Sequence, residues 1–84
     1  MSAAEIAAKL TKAQREALLQ VCRTNGGGVS IGCKIDADGV VVPTAKPMAK
    51  LFALGLIQGK AGAYQKVVHT RDGLAVRAEL EKSQ

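Results

Sequence analysis

The side chains most able to do chemistry in this chain are a single histidine, two cysteines, two closely spaced aspartates and a set of lysines. His69 is the only histidine, and the sequence offers it no Ser–His–Asp, Cys–His or paired-carboxylate arrangement. Nucleophilic and acid–base catalysis depend on such partners. We therefore expect no enzyme activity, and we expect His69 to be a strand-end residue rather than a catalyst or a ligand.

Two short motifs resemble ligand-binding loops without completing the pattern. Asp36, Asp38 and Gly39 begin like a calcium loop, but Pro47 occupies the position of the bidentate glutamate. The segment 25–28 is rich in glycine, yet it follows a predicted helix and precedes a predicted strand. A phosphate loop has the opposite order, because it follows a strand and opens a helix. We therefore expect neither a metal nor a cofactor.

The cysteines and the N-terminus bear on the compartment in which the chain works. Cys22 and Cys33 are too few for a disulfide framework and lack the spacing of a metal site. A single bridge between them is conceivable, but we expect two thiols, because nothing in the chain indicates an oxidising compartment. Residues 1–10 do not have the form of a signal peptide, and no apolar run approaches the roughly 18 residues of a membrane span. The sequence predicts a cytoplasmic protein without a membrane partner.

Charge and length bound the remaining functions. Twelve Lys and Arg residues stand against seven Asp and Glu residues, which gives a net charge of +5. A basic balance favours a polyanionic partner such as nucleic acid, although net charge also serves solubility. The 84 residues predict one domain, 1–84, with three or four elements around one core and no separate catalytic cleft.

Capping patterns and hydrophobic periodicity predict the helices. Residues 2–5 and 11–14 have the form of capping boxes, which predicts a short lead-in helix and then a helix over 12–24. A helix over 46–54 is predicted to be capped by Thr44 and to end at Gly55. A last helix over 71–81 is predicted to be capped by Thr70.

Alternation and glycine turns predict the extended segments. Apolar residues alternate with others from Val29 to Ile35, a turn follows at 36–39, and residues 40–42 return as a strand or as irregular chain. Residues 56–60 and 64–69 are predicted to pair as a hairpin. The predicted core consists of Leu18, Val21, Leu51, Phe52, Leu56 and Leu74, with Ala78 also pointing inward.

Three stretches of the sequence carry a family resemblance. LTKAQREALLQVC at 10–22, AKLFALGLIQG at 49–59 and VVHTRDGLAVRAEL at 67–80 resemble landmarks of winged-helix regulators of the multiple-antibiotic-resistance type. In that family the recognition helix ends in a motif matched here by Leu51, Leu54 and the run Gly55-Leu56-Ile57. The resemblance implies a small α+β winged-helix-like domain: helix, extended segment or hairpin, helix, β-hairpin wing and C-terminal helix.

The resemblance also implies where nucleic acid would be contacted. Lys46 and Lys50 lie four residues apart on the predicted recognition helix, where they can reach phosphates or base edges in a major groove. Lys60 and Lys66 flank the predicted wing, which in this family reaches the DNA backbone or minor groove. The alternative for all four lysines is solvated surface charge. We expect a regulator that binds double-stranded DNA, with a homodimer as one possible form.

One departure from the family favours a different class of function. A helix normally precedes the recognition helix, but here that slot holds residues 29–43, with Asp36 and Asp38 where a phosphate backbone would pass. The alternative is a phage or mobile-element interaction module that binds and inhibits a host protein complex, as anti-CRISPR proteins do. In that case Asp36 and Asp38 would contact a basic partner that normally holds nucleic acid.

Overall fold

The computed structural model describes residues 2–62 and 65–82, which form a small α+β winged-helix-like domain. Its helices are α1 (Ala3–Lys9), α2 (Lys12–Cys22), α3 (Lys46–Ala53) and α4 (Arg71–Lys82). Its strands are β1 (Val29–Ser30), β2 (Cys33–Ile35), β3 (Val41–Pro43), β4 (Ile57–Gly59) and β5 (Lys66–His69). The predicted fold class and the predicted order of elements are confirmed.

The two N-terminal helices begin as their capping patterns predict. The side chain of Ser2 accepts from the amide of Glu5, and that of Thr11 accepts from the amide of Gln14, with both boxes closed reciprocally. These caps satisfy amides that have no partner within the helix. Helix α2 ends at Cys22, two residues before the predicted end, and Asn25 then takes a left-handed conformation with φ 50°.

The sheet has three antiparallel strands in the order β1-β5-β4. In β5, Val67 lies opposite both Val29 of β1 and Gly59 of β4, and His69 lies opposite Ile57. The predicted hairpin between 56–60 and 64–69 is therefore present as the pair β4–β5, which we call the wing. Ala63 and Tyr64, which were predicted to lie at the tip and at the start of the second wing strand, fall outside the described residues.

Residues 29–43 form two strand pairings rather than the single strand expected over 29–35. Strand β1 joins the three-stranded sheet, whereas β2 turns away and pairs with β3 in a separate hairpin, with Ile35 opposite Val41. The separation falls at Gly32, whose carbonyl accepts from both the amide and the hydroxyl of Thr44, at 2.9 and 3.0 Å. The β2–β3 hairpin therefore occupies the position between β1 and α3.

Helix α3 starts without the cap that the sequence suggested. Ala45 is its N-cap and makes no side-chain hydrogen bond, so the prediction that Thr44 caps the helix is wrong. The hydroxyl of Thr44 holds Gly32 instead. The end of α3 follows the prediction: Gly55 has φ +75°, a conformation that glycine adopts at little cost, and Leu56 behind it is fully buried.

The core lies between α2, α3, α4 and the sheet. Leu18, Val21, Leu51 and Leu56 are fully buried, as predicted. Phe52 is only half-buried and packs against the edge of this cluster, so its predicted central place in the core is wrong. Other fully or nearly fully buried side chains are Leu10, Cys22, Ile57, Val67 and Val76.

Helix α4 presents a different face to the core from the one predicted. Leu74 is 41% exposed and Ala78 is exposed, so the inward placement of both is wrong. The buried stripe is Gly73, Val76 and Leu80. The reason is Gly73, which packs so closely on the carbonyl of Leu56 that a Cβ at this position would collide with it. The helix is therefore held with its glycine, and not Leu74, against the turn that follows α3.

Candidate nucleic-acid interface

Lys46 and Lys50 share the exposed side of α3. Both side chains are exposed, while Met48 and Leu51 on the same helix are buried. Helix α3 leads through Gly55 and Leu56 directly into β4, so the helix and the wing are joined without a flexible linker. This is the arrangement in which a helix can enter a groove while a wing reaches the adjacent backbone.

The two wing lysines differ in their surroundings. Lys66 is exposed at the start of β5. Lys60 is half-buried, because its Nζ donates to the carbonyl of Gly27 at 2.9 Å and its stem lies over Gly28. In this structure Lys60 thus ties the wing to the loop after α2, and a contact of Lys60 with nucleic acid stays a prediction.

The net charge of the chain lies in one stretch that contains β3, α3, the wing and the first residue of α4. Residues 39–71 contain no Asp or Glu and five basic residues, namely Lys46, Lys50, Lys60, Lys66 and Arg71. The rest of the chain holds seven basic and seven acidic residues and is neutral. Arg71, exposed at the start of α4, was not singled out from its residue type. The signal in the sequence that points to Arg71 is its place in a stretch, residues 39–71, that contains basic residues but no Asp or Glu.

Lys9 also belongs to this part of the surface, although the sequence did not indicate it. A groove of about 260 Å³ lies between α1, α2 and α3 and is lined by Ile6, Lys9, Leu10, Gln14, Lys50 and Leu54. Lys9 and Lys50 lie 41 positions apart in sequence and line the same groove because the fold brings the C-terminal end of α1 near α3. No local pattern in the sequence could have paired them.

The hairpin beside α3 carries the two aspartates. Asp36 Oδ1 accepts from the amides of Asp38 and Val40, both at 2.9 Å, and the amide of Asp36 donates to the carbonyl of Val40. This closes the turn from within. Both aspartates are exposed, as are all residues from Lys34 to Val40. The structure thus groups Asp36 and Asp38 at one tip, and β3 connects that tip to the N-terminal end of α3.

The cysteines and the histidine lie apart from the lysines. No disulfide joins Cys22 and Cys33 in this structure. Burial raises the pKa of the Cys22 thiol; the nearby Arg77 guanidinium lowers that pKa and Glu81 raises it. Burial also raises the pKa of the Cys33 thiol. Cys22 is therefore poorly suited to act as a nucleophile.

His69 ends β5 and is half-buried, in the strand-end position that its sequence context predicts. Its Nδ1 is buried without a hydrogen-bond partner. Within residues 2–62 and 65–82, no group of three or more His, Cys, Asp or Glu side chains is placed to hold a metal ion. In the same ranges, no helix is both long enough and apolar enough to cross a membrane.

No protein-family model, curated protein or solved structure matches this chain.

Proposed function

We propose that this protein binds double-stranded DNA through α3 and the wing, as a small regulator of the winged-helix kind. The observation that carries the proposal is the distribution of charge. The whole net charge of +5 lies within residues 39–71, and four of the five basic residues belong to α3 and the wing, the elements that contact DNA in winged-helix proteins. A general need for solubility would not concentrate charge on these two elements, whereas phosphate binding requires it.

Each basic residue has a distinct part in the proposed contact. Lys46 and Lys50, one turn apart on α3, would face the major groove or its flanking phosphates. Lys66 and Arg71 would neutralise the backbone beside the wing. Lys60 would support the wing through its bond to Gly27 rather than contact DNA itself. The contacts are mostly to phosphates, so binding should depend strongly on salt and weakly on sequence.

The β2–β3 hairpin limits how DNA can approach. Asp36 and Asp38 carry negative charge at the tip of the element that replaces the usual helix before α3. Like charges repel the phosphate backbone, so we expect the duplex to lie toward the C-terminal half of α3 and the wing, away from this tip. Lys50 should accordingly contribute more than Lys46.

The test is a fluorescence-anisotropy titration of a labelled random-sequence duplex at low salt. Changing Lys46 and Lys50 to Ala should weaken binding by about tenfold, since about 1.4 kcal/mol is expected from the two charges together. The matched control changes Lys12 and Lys82 to Ala, which removes the same charge from exposed positions outside α3 and the wing. Equal effects of the two pairs, or no binding by the unchanged protein, would reject the proposed interface.

A second candidate function is favoured by the apolar side chains at the hairpin tip. Ile35 is 60% exposed and Val40 is 44% exposed, next to Asp36 and Asp38. Exposed apolar groups rimmed by charge are typical of protein-binding surfaces. The chain would then act by binding and inhibiting a basic, nucleic-acid-handling protein complex. In that case the change Asp38→Lys should abolish activity while Lys46→Ala and Lys50→Ala leave it intact.

A further inference from the structure

The tip of the β2–β3 hairpin is a small apolar knob with negative charge. Ile35 and Val40 are the most exposed large apolar side chains among the described residues, and Asp36 and Asp38 lie beside them. Ile35 belongs to the hairpin face that also carries Cys33 and the buried Pro43, because alternate residues of a strand share a face. The hairpin extends beyond the core, and Ile35, at the far end of this face, is therefore exposed.

Hydrogen bonds close the turn of the knob and anchor its base. The Asp36 carboxylate accepts two backbone amides within the turn, and Gly39 donates to the Asp36 carbonyl at 3.1 Å. At the base, Thr44 fixes the Gly32 carbonyl through two hydrogen bonds. An element whose shape is set before binding loses little conformational freedom on docking. The knob is therefore ready to enter a matching concavity without folding first.

A matching concavity lies on the same chain. The groove between α1, α2 and α3 is lined by three apolar residues, Ile6, Leu10 and Leu54, and by the polar residues Lys9, Gln14 and Lys50. Its volume of about 260 Å³ admits a branched aliphatic side chain. The knob is apolar with two negative charges and the groove is partly apolar with two positive charges, so their charges are complementary.

The knob cannot reach the groove of its own chain. Strand β3 runs from the knob into the N-terminal end of α3, while Lys50 and Leu54 place the groove at the C-terminal half of that helix. The clamp between Thr44 and Gly32 holds the hairpin at the first of these two ends. Only a second copy can bring a knob to the groove.

We propose that the hairpin tip of one copy docks into the groove between α1, α2 and α3 of a second copy. Ile35 would enter the groove while Asp36 and Asp38 pair with Lys9 and Lys50. If each copy gives its knob to the other, two identical contacts form a closed two-fold dimer. The buried area is small, so the association is weak and falls as salt rises.

The contact has a consequence for DNA binding, and this step alone rests on the proposed function. Lys50 would be covered in the self-associated form and exposed in the monomer. Self-association and DNA binding would then compete for one lysine, so the dimer would be the form with lower affinity for DNA. A regulator built this way would lose DNA affinity as its own concentration rises.

The test is sedimentation velocity at low salt between roughly 10 µM and 1 mM protein. One variant carries Lys9→Glu and Lys50→Glu. The other carries Asp36→Asn and Asp38→Lys, with Asn chosen because it keeps the acceptor that closes the turn. Each variant alone should be monomeric, because like charges then meet at the contact. An equimolar mixture should associate again, because both contacts between the two variants pair opposite charges.

Two further variants separate this contact from general charge effects. Ile35→Ser should weaken association by about tenfold or more, and because Ile35 is exposed in the monomer it should leave the thermal unfolding midpoint unchanged. Lys12→Glu with Lys82→Glu matches the charge change of the groove variant. Lys12 points roughly 200° around α2 from Gln14, which lines the groove, so this pair should associate like the unchanged protein.

The docking contact, its effect on DNA binding and DNA binding itself are each contradicted by a different result. The proposal is overturned if the unchanged protein is a monomer at all concentrations. It is also overturned if the mixture of the two charge variants stays monomeric while both variants remain folded by circular dichroism. In either case the knob would bind a different protein. Association without competition against DNA would keep the docking contact and remove only its regulatory consequence. Failure of the duplex titration would reject DNA binding and leave the sedimentation result standing.

Discussion

Gly73 determines how α4 packs against the turn after α3, because it has no Cβ atom. Alanine normally stabilises a helix relative to glycine by about 1 kcal/mol. At Gly73 the sign should reverse, because the added Cβ would collide with the Leu56 carbonyl. We expect Gly73→Ala to lower the free energy of unfolding by about 2–3 kcal/mol.

Urea denaturation measures this effect, with Gly59→Ala as the control. A Cβ at Gly59 meets no atom within 4 Å, so the change there should cost less than about 1 kcal/mol. If the two variants unfold at the same urea concentration, Gly73 does not make the close contact and α4 can pack with Leu74 inward.

Cys22 should make stability depend on alkaline pH. Its thiol pKa is raised in the folded protein, chiefly by burial, from an ordinary value of 9.0. Above that value the unfolded chain releases the proton while the folded protein keeps it, so the free energy of unfolding falls as pH rises. Cys22→Ala should show a smaller fall between about pH 8 and about pH 10 in urea denaturation. Parallel curves for the two proteins would contradict a buried, neutral thiol.

At the scale of elements, the β2–β3 hairpin depends on one carboxylate more than on the other. Asp36 accepts two backbone amides in the turn, whereas Asp38 contributes its amide to that network and not its carboxylate. We expect Asp36→Ala to destabilise the hairpin by about 1 kcal/mol and Asp36→Asn to cost less. Hydrogen exchange of the Val40 amide reports the change directly, and Asp38→Ala serves as the control. Equal exchange rates in Asp36→Ala and Asp38→Ala would show that the turn closes without the carboxylate.

Elements with local signals could be predicted from the sequence, and those set by tertiary contact could not. The caps at Ser2 and Thr11 and the break at Gly55 are local, and all three are present in the structure. The rotation of α4 is not local, because its buried face follows from the close packing of Gly73 on the Leu56 carbonyl. Likewise, the split between β1 and β2 depends on Thr44 holding Gly32 across the hairpin.

At the scale of the whole molecule, the positions of the basic residues, more than the shape of the surface, support the proposed function. The lysines on α3 and the wing were identifiable from their types and predicted elements, and Lys46, Lys50 and Lys66 are exposed as expected. The structural role of Lys60 could not be predicted from the sequence, because its bond to the Gly27 carbonyl links residues 33 positions apart. The position of Lys9 in the same groove as Lys50 could not be predicted either, because it depends on how α1 packs.

The most direct test of the central claim is the salt dependence of binding to duplex DNA. If α3 and the wing contact phosphates, a plot of log affinity against log salt should fall with a slope of roughly −0.9 for each phosphate contacted. Changing Lys46 and Lys50 to Ala should make that slope shallower by about two units, while changing Lys12 and Lys82 should leave it unchanged. A slope that is the same for all three proteins, or an affinity that does not respond to salt, would contradict DNA binding through this surface.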